Sequence, residues 1–535
     1  MKFIQGQDRN QTTLFPVSLE QAIDPENEVR IIDLFVDSLP LKDYGFKVDY
    51  QENGRPAYRP EDLLKLFIYG YLNKVRSTRD LEKEARRNIE VIWLLRALTP
   101  DHNTIFRFRD QNKHAIRKVF RTTVQIAKNF DLIGGKLIAG DSTKLRAQNS
   151  KKNNFNQDKI NRQVAYIDNK LQEYYQQLDQ GEKEQDPKNK ETIRQAIELQ
   201  QQRKNRYKEL GQELKKSGEK QISVSDADSR LLMLRNHISE VAYNVQSTVD
   251  AKHNLLIDYK VTNENDSGAM GNMVRRAKSI LGTNSFIALY DKGYHSGPEF
   301  RVVDKLGVTP LVAIPAPPST SQAPDPAYNM SQFTWNQQSY TYTCPQAHTL
   351  TTTGHWHKKR RKGRQNEITL IQQFKTPACK GCKVKQQCTS NPRGRVIERS
   401  EYACFVEQNA RNIENNKDMY RRRQAIVEHP FGVMKRQWGF YYILSKKGMA
   451  RASADVGLIF IAYNLRRLIN ILGKDVFSKY LKACFFLVTT FSRAIKANLD
   501  KIFVLLPPVD IHMKNIKYLL NTFIFGNKLR IPVGL

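Results

Sequence analysis

Residues 136–143 read KLIAGDST, in which a short apolar run ends at a glycine and an aspartate. An unbroken apolar run of this length is typical of a buried β-strand, and we predict that the strand ends at Gly140 and Asp141. A carboxylate at the exit of a buried strand is well placed for chemistry. Taken alone, such an aspartate more often forms a turn or caps a helix, so the role of Asp141 depends on its surroundings.

The sequence after residue 240 continues this pattern with two more strands and a helix. Residues 241–250 (VAYNVQSTVD) and 254–262 (NLLIDYKVT) predict an antiparallel hairpin with a short turn. Residues 266–282 (DSGAMGNMVRRAKSILG) predict a helix that Asp266 caps and Gly282 stops. Together with the strands that follow, this order predicts an α/β fold built on a mixed sheet with flanking helices.

A second strand leads directly to an aspartate. Residues 285–297 read SFIALYDKGYHSG, with Asp291 after the apolar run, and residues 309–315 (TPLVAIP) predict one more strand. The loops are similar, since DSTK begins at Asp141 and DKGY begins at Asp291. If the two strands are neighbours, both carboxylates emerge at the same edge of one sheet.

A third acid, Glu428, lies in a helical segment, residues 426–435 (IVEHPFGVMK). At about 100° per residue, positions seven apart lie within roughly 20° of each other on a straight helix, so Arg421 and Lys435 share the face of Glu428. Pro430 weakens this assignment for Lys435, because a proline inside a helix removes a backbone donor. The cations around Glu428 are Arg421, Arg422, Arg423 and Lys435, and simple charge balance is the alternative reason for the acid.

Three carboxylates from separate elements suit one kind of chemistry. Breaking a phosphodiester in line requires an activated nucleophile and a stabilised leaving oxygen, which two divalent ions about 3.5–4 Å apart supply together. Mg²⁺ prefers oxygen ligands and keeps several waters, so Asp141, Asp291 and Glu428 suffice to hold the ions. This hypothesis requires the Glu428 helix to close over the two aspartates.

The N-terminal part of the chain predicts a helical bundle. Apolar residues recur at helical spacing through residues 60–125, and Ser77 with Asp80 three residues later predicts a helix N-terminus. Helix-turn-helix character is compatible with DNA contact, and a solvated charged face is the equal alternative for the arginines. These arginines are Arg55, Arg59, Arg76, Arg79, Arg86 and Arg87.

Residues 150–225 differ in composition from their surroundings, being rich in Gln, Lys, Glu and Asn. Their apolar residues keep three-to-four spacing, which predicts a charged helical hairpin inserted after the first strand. Examples are Val164, Ile167, Leu171 and Tyr174.

Four of the six cysteines cluster in a second segment. A C-x2-C pair with two further cysteines can form a tetrahedral zinc site; four reduced cysteines in a small β-rich insertion are the alternative. The cysteines are Cys344, Cys379, Cys382 and Cys388, with His348, His355 and His357 as substitute ligands. Residues 355–364 (HWHKKRRKGR) predict a basic loop that grips phosphates or a solvated tip.

The whole chain has 535 residues and a formal charge of +32, which predicts several domains and a polyanionic partner. Apolar runs stay shorter than a membrane span, and the N-terminus lacks a signal-peptide pattern. We therefore expect a cytoplasmic protein without a membrane partner. Six cysteines in so long a chain do not form a disulfide scaffold.

The motifs AGDSTK, YDKGYHS and YRRRQAIVEHPFGVMKRQWG resemble those of insertion-sequence DDE transposases with an RNase H-like catalytic core. The resemblance extends to residues 54–109, which are similar to the N-terminal helical domain of one branch of these enzymes. It implies that three acids bind Mg²⁺ or Mn²⁺, namely Asp141, Asp291 and Glu428. The family signature around the glutamate then falls on Tyr420, Arg423, Glu428 and Lys435.

One spacing departs from that signature, because four residues rather than three separate Arg423 from Glu428. The DNA-backbone contact therefore falls on Arg421, Arg422 or Arg423. The resemblance further implies cleavage at the terminal inverted repeats of the element and joining to target DNA. A homodimer in the DNA complex and a bacterial, nucleoid-associated location are expected on the same basis.

The expected organisation follows from these segments. It comprises an N-terminal helical, DNA-binding domain (1–130), an RNase H-like catalytic domain (131–475) and a C-terminal helical tail (476–535). A helical insertion (150–225) and a cysteine-bearing insertion (330–400) interrupt the catalytic domain.

Two other functions stay open. An RNase H-like nuclease would cut DNA without strand transfer, and a domesticated derivative would bind DNA without catalysis. The presence of all three acids disfavours the second, because a binder has no need to keep them. For His429, next to the third acid, a helix-surface or packed histidine is favoured over a substrate contact.

Overall fold

The structure is a computed structural model that describes residues 18–48, 56–181, 187–234, 238–317, 322–361, 364–444 and 447–486. Arg55 and residues 487–535 lie outside the described residues. The helices are α1 (Val29–Asp37), α2 (Leu41–Tyr44), α3 (Pro60–Leu72), α4 (Thr78–Arg87), α5 (Ile89–Leu94), α6 (His102–Gln111), α7 (Ala115–Asn129), α8 (Gln157–Gly181), α9 (Pro187–Ser217), α10 (Met270–Leu281), α11 (Gly297–Lys305), α12 (Lys385–Cys388), α13 (Ala403–Asn415), α14 (Lys417–Phe431), α15 (Met449–Leu472) and α16 (Lys474–Phe486).

The strands form a large central sheet, a second sheet and one isolated pair. They are β1 (Leu137–Arg146), β2 (Asn154–Phe155), β3 (Ile222–Ser223), β4 (Arg230–Met233), β5 (Ser239–Asp250), β6 (Leu256–Thr262), β7 (Ile287–Tyr290), β8 (Thr309–Val312), β9 (Thr334–Asn336), β10 (Thr341–Thr343), β11 (Thr349–Thr352), β12 (His357–Arg361), β13 (Arg364–Lys375) and β14 (Ile397–Ser400).

The central sheet has the predicted mixed topology. Its order is β4–β5–β1–β7–β8, and β6 pairs with β5 on the same edge as β4. Strand β5 runs antiparallel to its neighbours β1 and β6, whereas β1, β7 and β8 run parallel to one another. Three antiparallel strands followed by two parallel ones, with helices on the faces, are the RNase H-like arrangement, and the predicted fold class is confirmed.

The prediction that the first strand ends at Asp141 is wrong. Strand β1 continues to Arg146 because β5 pairs with it along its length, from Ile138 opposite Asp250 to Arg146 opposite Ala242. The parallel neighbour β7 is shorter and ends at Tyr290. Asp141 therefore lies in the middle of its own strand, next to the place where the adjacent strand stops.

The assignment of Asp266 as a helix cap is also wrong. Helix α10 begins at Met270 with Ala269 at the N-cap position, so Asp266 precedes the cap. The predicted stop is confirmed, because Gly282 takes the left-handed conformation at φ 69° that ends the helix. The side chain of Asp266 bonds elsewhere, as described below.

The N-terminal helices pack around α3, whose residues are almost all buried. Ser77 precedes α4 as predicted, although its side chain makes no capping hydrogen bond there. Arg76 does not lie on the surface, where it would contact DNA or solvent. It is only 6% exposed and pairs with Asp455 of α15. Desolvation and this ion pair remove Arg76 from any DNA-facing surface.

Both inserted segments have their own small cores. Helices α8 and α9 pack against each other as the spacing predicted, burying Ile167, Leu171 and Ile197. The second sheet has the order β12–β13–β11–β10–β9, with β14 beside β13. Its core contains Phe333, Tyr342, Leu350, Phe374 and Ile397.

Helix α15 connects the parts of the fold. It is buried along most of its length and packs on α3, α7 and β6. Among the described residues, no single helix is long and apolar enough to cross a membrane, whereas the pair α15 and α16, bent by 115°, meets the length and composition together.

Candidate active site

The two aspartates meet at the end of the parallel pair β1 and β7. The register pairs Ala139 with Leu289, and extending it by two residues sets Asp141 beside Asp291. Gly140 permits this meeting, because a Cβ there would lie 2.0 Å from a ring carbon of Tyr290. Gly140, before the first acid, and Tyr290, before the second, are thus in contact, which explains why a residue without a side chain precedes Asp141.

Each aspartate uses one oxygen to accept a hydrogen bond from the backbone that directly follows it. Asp141 Oδ1 accepts a hydrogen bond from the backbone N–H of Ser142 at 2.7 Å. Asp291 Oδ1 accepts one from Gly293 at 2.8 Å and caps the 3₁₀ turn Lys292–Tyr294. These bonds orient both carboxylates at the sheet edge.

Asp141 is partly buried and has two other carboxylates nearby. Burial raises the pKa of Asp141 to about 6; Arg423 opposes this rise, and the nearby carboxylates of Asp291 and Asp266 add to it. The side chain is 24% exposed, so it remains reachable from solvent. An acid in this setting gains stability from a cation.

Arg423 is the arginine that faces the acids. Its Nη1 lies 3.5 Å from Asp141 Oδ2, and this buried nitrogen has no hydrogen-bond partner among the described residues. Arg421 instead pairs with Asp418 at 2.9 Å and is 78% exposed, and Arg422 is also exposed. Tyr420, three residues before Arg423, donates a hydrogen bond to the backbone oxygen of Tyr290 at 3.0 Å.

Glu428 lies on the same helix, which packs against β1, β5 and β7. Its side chain is exposed, and its Oε1 accepts a hydrogen bond from Gln424 at 2.8 Å. Within the described ranges, no group of three or more His, Cys, Asp or Glu residues is arranged to hold a metal ion. The structure thus brings Asp141 and Asp291 together and leaves Glu428 outside that pair.

The chain changes conformation directly after Glu428. Pro430 lies inside α14, and a π-helical segment, Gly432–Gln437, follows it. Lys435 therefore cannot be placed by counting along a straight helix; its Nζ donates to the backbone oxygen of Lys144 at 3.0 Å. His429 is partly buried and hydrogen-bonded through Nδ1 to Tyr463 at 2.8 Å.

Asp266 is a site residue that the sequence did not indicate. It accepts hydrogen bonds from Asn244 and Gln246, both at 2.8 Å, and lies 3.3 Å from the ammonium of Lys144. The sequence feature that could have indicated Asp266 is the pair Asn244 and Gln246, at alternate positions of β5. Both side chains are buried in the fold. Buried amides need partners, and Asp266 supplies one.

The four clustered cysteines line one cavity in the second sheet, together with His348. All six cysteines of the chain are free thiols. Burial raises the pKa of Cys388; Arg395 opposes this rise and the other three cysteines add to it. The remaining substitute ligands, His355 and His357, are exposed beside or on β12 and do not line the cavity.

Two transposase families match this chain. The Transposase domain (DUF772) matches residues 17–111, and the Transposase DDE domain matches residues 343–469. The second range contains Glu428, whereas Asp141 and Asp291 lie outside both.

No curated protein matches the chain significantly. Among solved structures, the cryo-EM structure of the piggyBac transposase synaptic complex with hairpin DNA aligns at 9% identity, with a TM-score of 0.28. The alignment covers 95% of this chain and 86% of that chain. Two separate segments of the chain, residues 17–111 and 343–469, are thus similar to domains of transposases.

Proposed function

We propose that this protein is a DDE transposase that cleaves the ends of an insertion sequence and joins the freed 3′-hydroxyl groups to target DNA. The observation that supports this most is that Asp141, within β1, and Asp291, just after the end of β7, lie side by side where helix α14 packs on the sheet. Cleavage and joining are the same in-line displacement at phosphorus, with water as the nucleophile in the first and a DNA hydroxyl in the second.

A divalent metal ion suits the donors at this edge. Carboxylate oxygens are the ligands that Mg²⁺ and Mn²⁺ prefer, and Asp141 sits among other acids with Arg423 as the opposing cation. Asp141 and Asp291 would hold the metal, which would activate the nucleophile and stabilise the leaving oxygen. We propose Glu428 as the third ligand, joining the pair when DNA is bound.

The position of Glu428 is compatible with such a movement. It is exposed, its described partner is the neutral amide of Gln424, and the chain departs from regular α-helix within a few residues. A change of the Glu428 side-chain rotamer breaks one exposed hydrogen bond, which costs about 1 kcal/mol.

The basic residues around the acids would contact the DNA backbone. Arg423 is buried against Asp141, so it would meet the phosphate nearest the metal, whereas Arg421 is exposed at the outer surface. Tyr420 and Lys435 both bond to backbone oxygens beside the site, at Tyr290 and Lys144. Their proposed role is to hold the sheet and helix α14 in fixed positions, with the phosphate lying between them.

We propose the domain division expected from the sequence, with residues 1–130 for DNA recognition and 131–475 for catalysis. Terminal inverted repeats and target DNA are the proposed substrates. Because transposition requires two ends to be held together, a homodimer is the proposed state in the DNA complex. The proposed location is the bacterial nucleoid, where chromosomal DNA lies.

A structural zinc ion is proposed for the second sheet. Cys344, Cys379, Cys382 and Cys388 line one cavity and are soft thiol ligands of the kind that structural zinc sites use. Because no three of them are arranged to hold a metal ion in the described residues, zinc would have to draw their sulfurs together. Metal analysis of the purified protein should find one zinc per chain, and Cys382→Ser should lose it. A metal-free wild type would remove this proposal without affecting the carboxylate site.

The test of the proposed function is a cleavage and joining assay with Mg²⁺ and DNA that carries the element's ends. Asp141→Asn, Asp291→Asn and Glu428→Gln should bind this DNA and leave it uncut. Asp418→Asn, on the same helix but 94% exposed, is the matched control and should cut normally. Undiminished cutting by all three variants would overturn the proposal, and cutting without joining would identify a nuclease.

A further inference from the structure

Asp266 lies next to the catalytic pair but is bonded differently from both members. We propose that Asp266 is a positioning residue that holds the ammonium of Lys144 away from Asp141 and Asp291, so that these carboxylates remain available to a divalent cation. The inference rests on the proposed function of that pair.

The bonds of Asp266 fix its carboxylate on one face of the sheet. Its Oδ1 accepts hydrogen bonds from Asn244 Nδ2 and Gln246 Nε2, and its Oδ2 lies 3.3 Å from Lys144 Nζ. In the β1–β5 register, Lys144 is opposite Asn244 and Ser142 is opposite Gln246, so the partners project from the same face. With both oxygens occupied by protein donors, Asp266 is an anchor rather than a metal ligand.

Asp266 nevertheless lies beside the metal-binding acids. A Cβ added to Gly293 would be 3.0 Å from Asp291 Oδ1 and 3.7 Å from Asp266 Oδ2, so one methyl group would span the space between them. Gly293 belongs to the short turn that Asp291 caps. Because Lys144 Nζ lies 3.3 Å from the same Oδ2 of Asp266, its ammonium is held close to the turn that carries Asp291.

The charge of Lys144 makes its position important. Its side chain is only 18% exposed, so water screens the ammonium weakly. Without the Asp266 carboxylate, the flexible lysine would take Asp141 or Asp291 as its partner and compete with the metal there. Ser142 Oγ, 3.4 Å from Nζ, is uncharged and cannot replace the lost ion pair.

The test measures how cleavage by the full-length protein depends on Mg²⁺ concentration. Asp266→Asn should raise the Mg²⁺ concentration for half-maximal cleavage about 10-fold, in line with other groups behind a metal site. Cleavage at saturating Mg²⁺, end-DNA affinity and melting temperature should stay close to wild type. Asp266→Glu, which keeps the charge, should recover most of the Mg²⁺ affinity.

The decisive control is the double variant Asp266→Asn with Lys144→Met, which removes the competing ammonium. It should return the half-maximal Mg²⁺ concentration to within about 3-fold of wild type. An unchanged requirement in the single variant, a raised one that persists in the double variant, or unfolding of both would overturn the inference. A wild type that needs no divalent metal would instead refute the proposed function.

Discussion

At the scale of single residues, Asp141 shows the stability cost of a carboxylate that is proposed to bind metal. Its pKa of about 6 in the folded protein lies above the usual value of 3.8. A raised acid pKa means that the folded state binds more protons than the unfolded state between these pH values, so ionisation of Asp141 destabilises the fold as pH rises.

Replacing Asp141 in the metal-free protein should therefore change its stability in a way that depends on pH. Asp141→Asn should be more stable than wild type by about 1–3 kcal/mol at pH 8, because each pKa unit corresponds to about 1.4 kcal/mol. The difference in stability should shrink as pH falls through 6. It should vanish below about 4, where the Asp141 carboxyl is protonated in both the folded and the unfolded state. Urea unfolding over this pH range measures it, and an equal difference at pH 8 and pH 4 would contradict it.

Sequence reasoning found some site residues and missed others for physical reasons. Asp141 and Asp291 were predictable because apolar strands lead to both. Counting helix positions from Glu428 favoured Arg421, whereas the structure turns Arg423 towards the acids. Asp266 was not predictable, since its partners come from two other strands whose register only the folded sheet sets.

At the scale of elements, a buried ion pair joins α15 to the connection between α3 and α4. Asp455 is fully buried and accepts hydrogen bonds from Arg76 at 2.6 Å, from the backbone of Leu444 at 2.9 Å and from Tyr71. Burial raises the pKa of Asp455, but Arg76 and Arg109 outweigh it and hold the pKa below its usual range.

Removing one partner of this pair should be costly. Asp455→Asn leaves the Arg76 guanidinium buried without its counter-ion, and we expect a loss of about 3–5 kcal/mol in the free energy of unfolding. Asp418→Asn breaks an exposed pair with Arg421 and should change little. Urea denaturation compares the two, and equal losses would contradict the role assigned to Asp455.

The edge strand β12 is a second element with a testable role. It lies at the end of its sheet, and Lys358, Lys359 and Arg360 are exposed beside Trp356. Phosphate binding predicts that Lys358→Ala with Arg360→Ala lowers the slope of log affinity against log salt by about 2. Lys215→Ala with Lys216→Ala, on exposed positions of α9, is the matched control.

An unchanged slope of log affinity against log salt for the β12 variant would show that these cations do not bind phosphate. Lysines on an edge strand also prevent pairing with another chain. In that case, the variant should bind DNA normally and self-associate, which sedimentation velocity would detect.

At the scale of the whole molecule, the order of elements was more predictable than their contacts. The strand, hairpin, helix and strand pattern indicated the central sheet, because hydrophobic periodicity is a local property. The burial of α15 between the N-terminal helices and β6 was not readable, and neither was the pairing of Arg76 with Asp455. Both depend on residues far apart in the chain: Arg76 and Asp455 are 379 positions apart, and Asn464 of α15 bonds to Leu256 of β6 across 208 positions.

The most direct test of the metal site is a structure of the protein with its end DNA and Mn²⁺, with anomalous scattering used to locate the ion. We predict a manganese peak about 2.1–2.3 Å from carboxylate oxygens of Asp141 and Asp291, with a Glu428 oxygen in the same coordination group. No peak at this edge, or a peak there with Glu428 still bonded to Gln424, would contradict the three-carboxylate site.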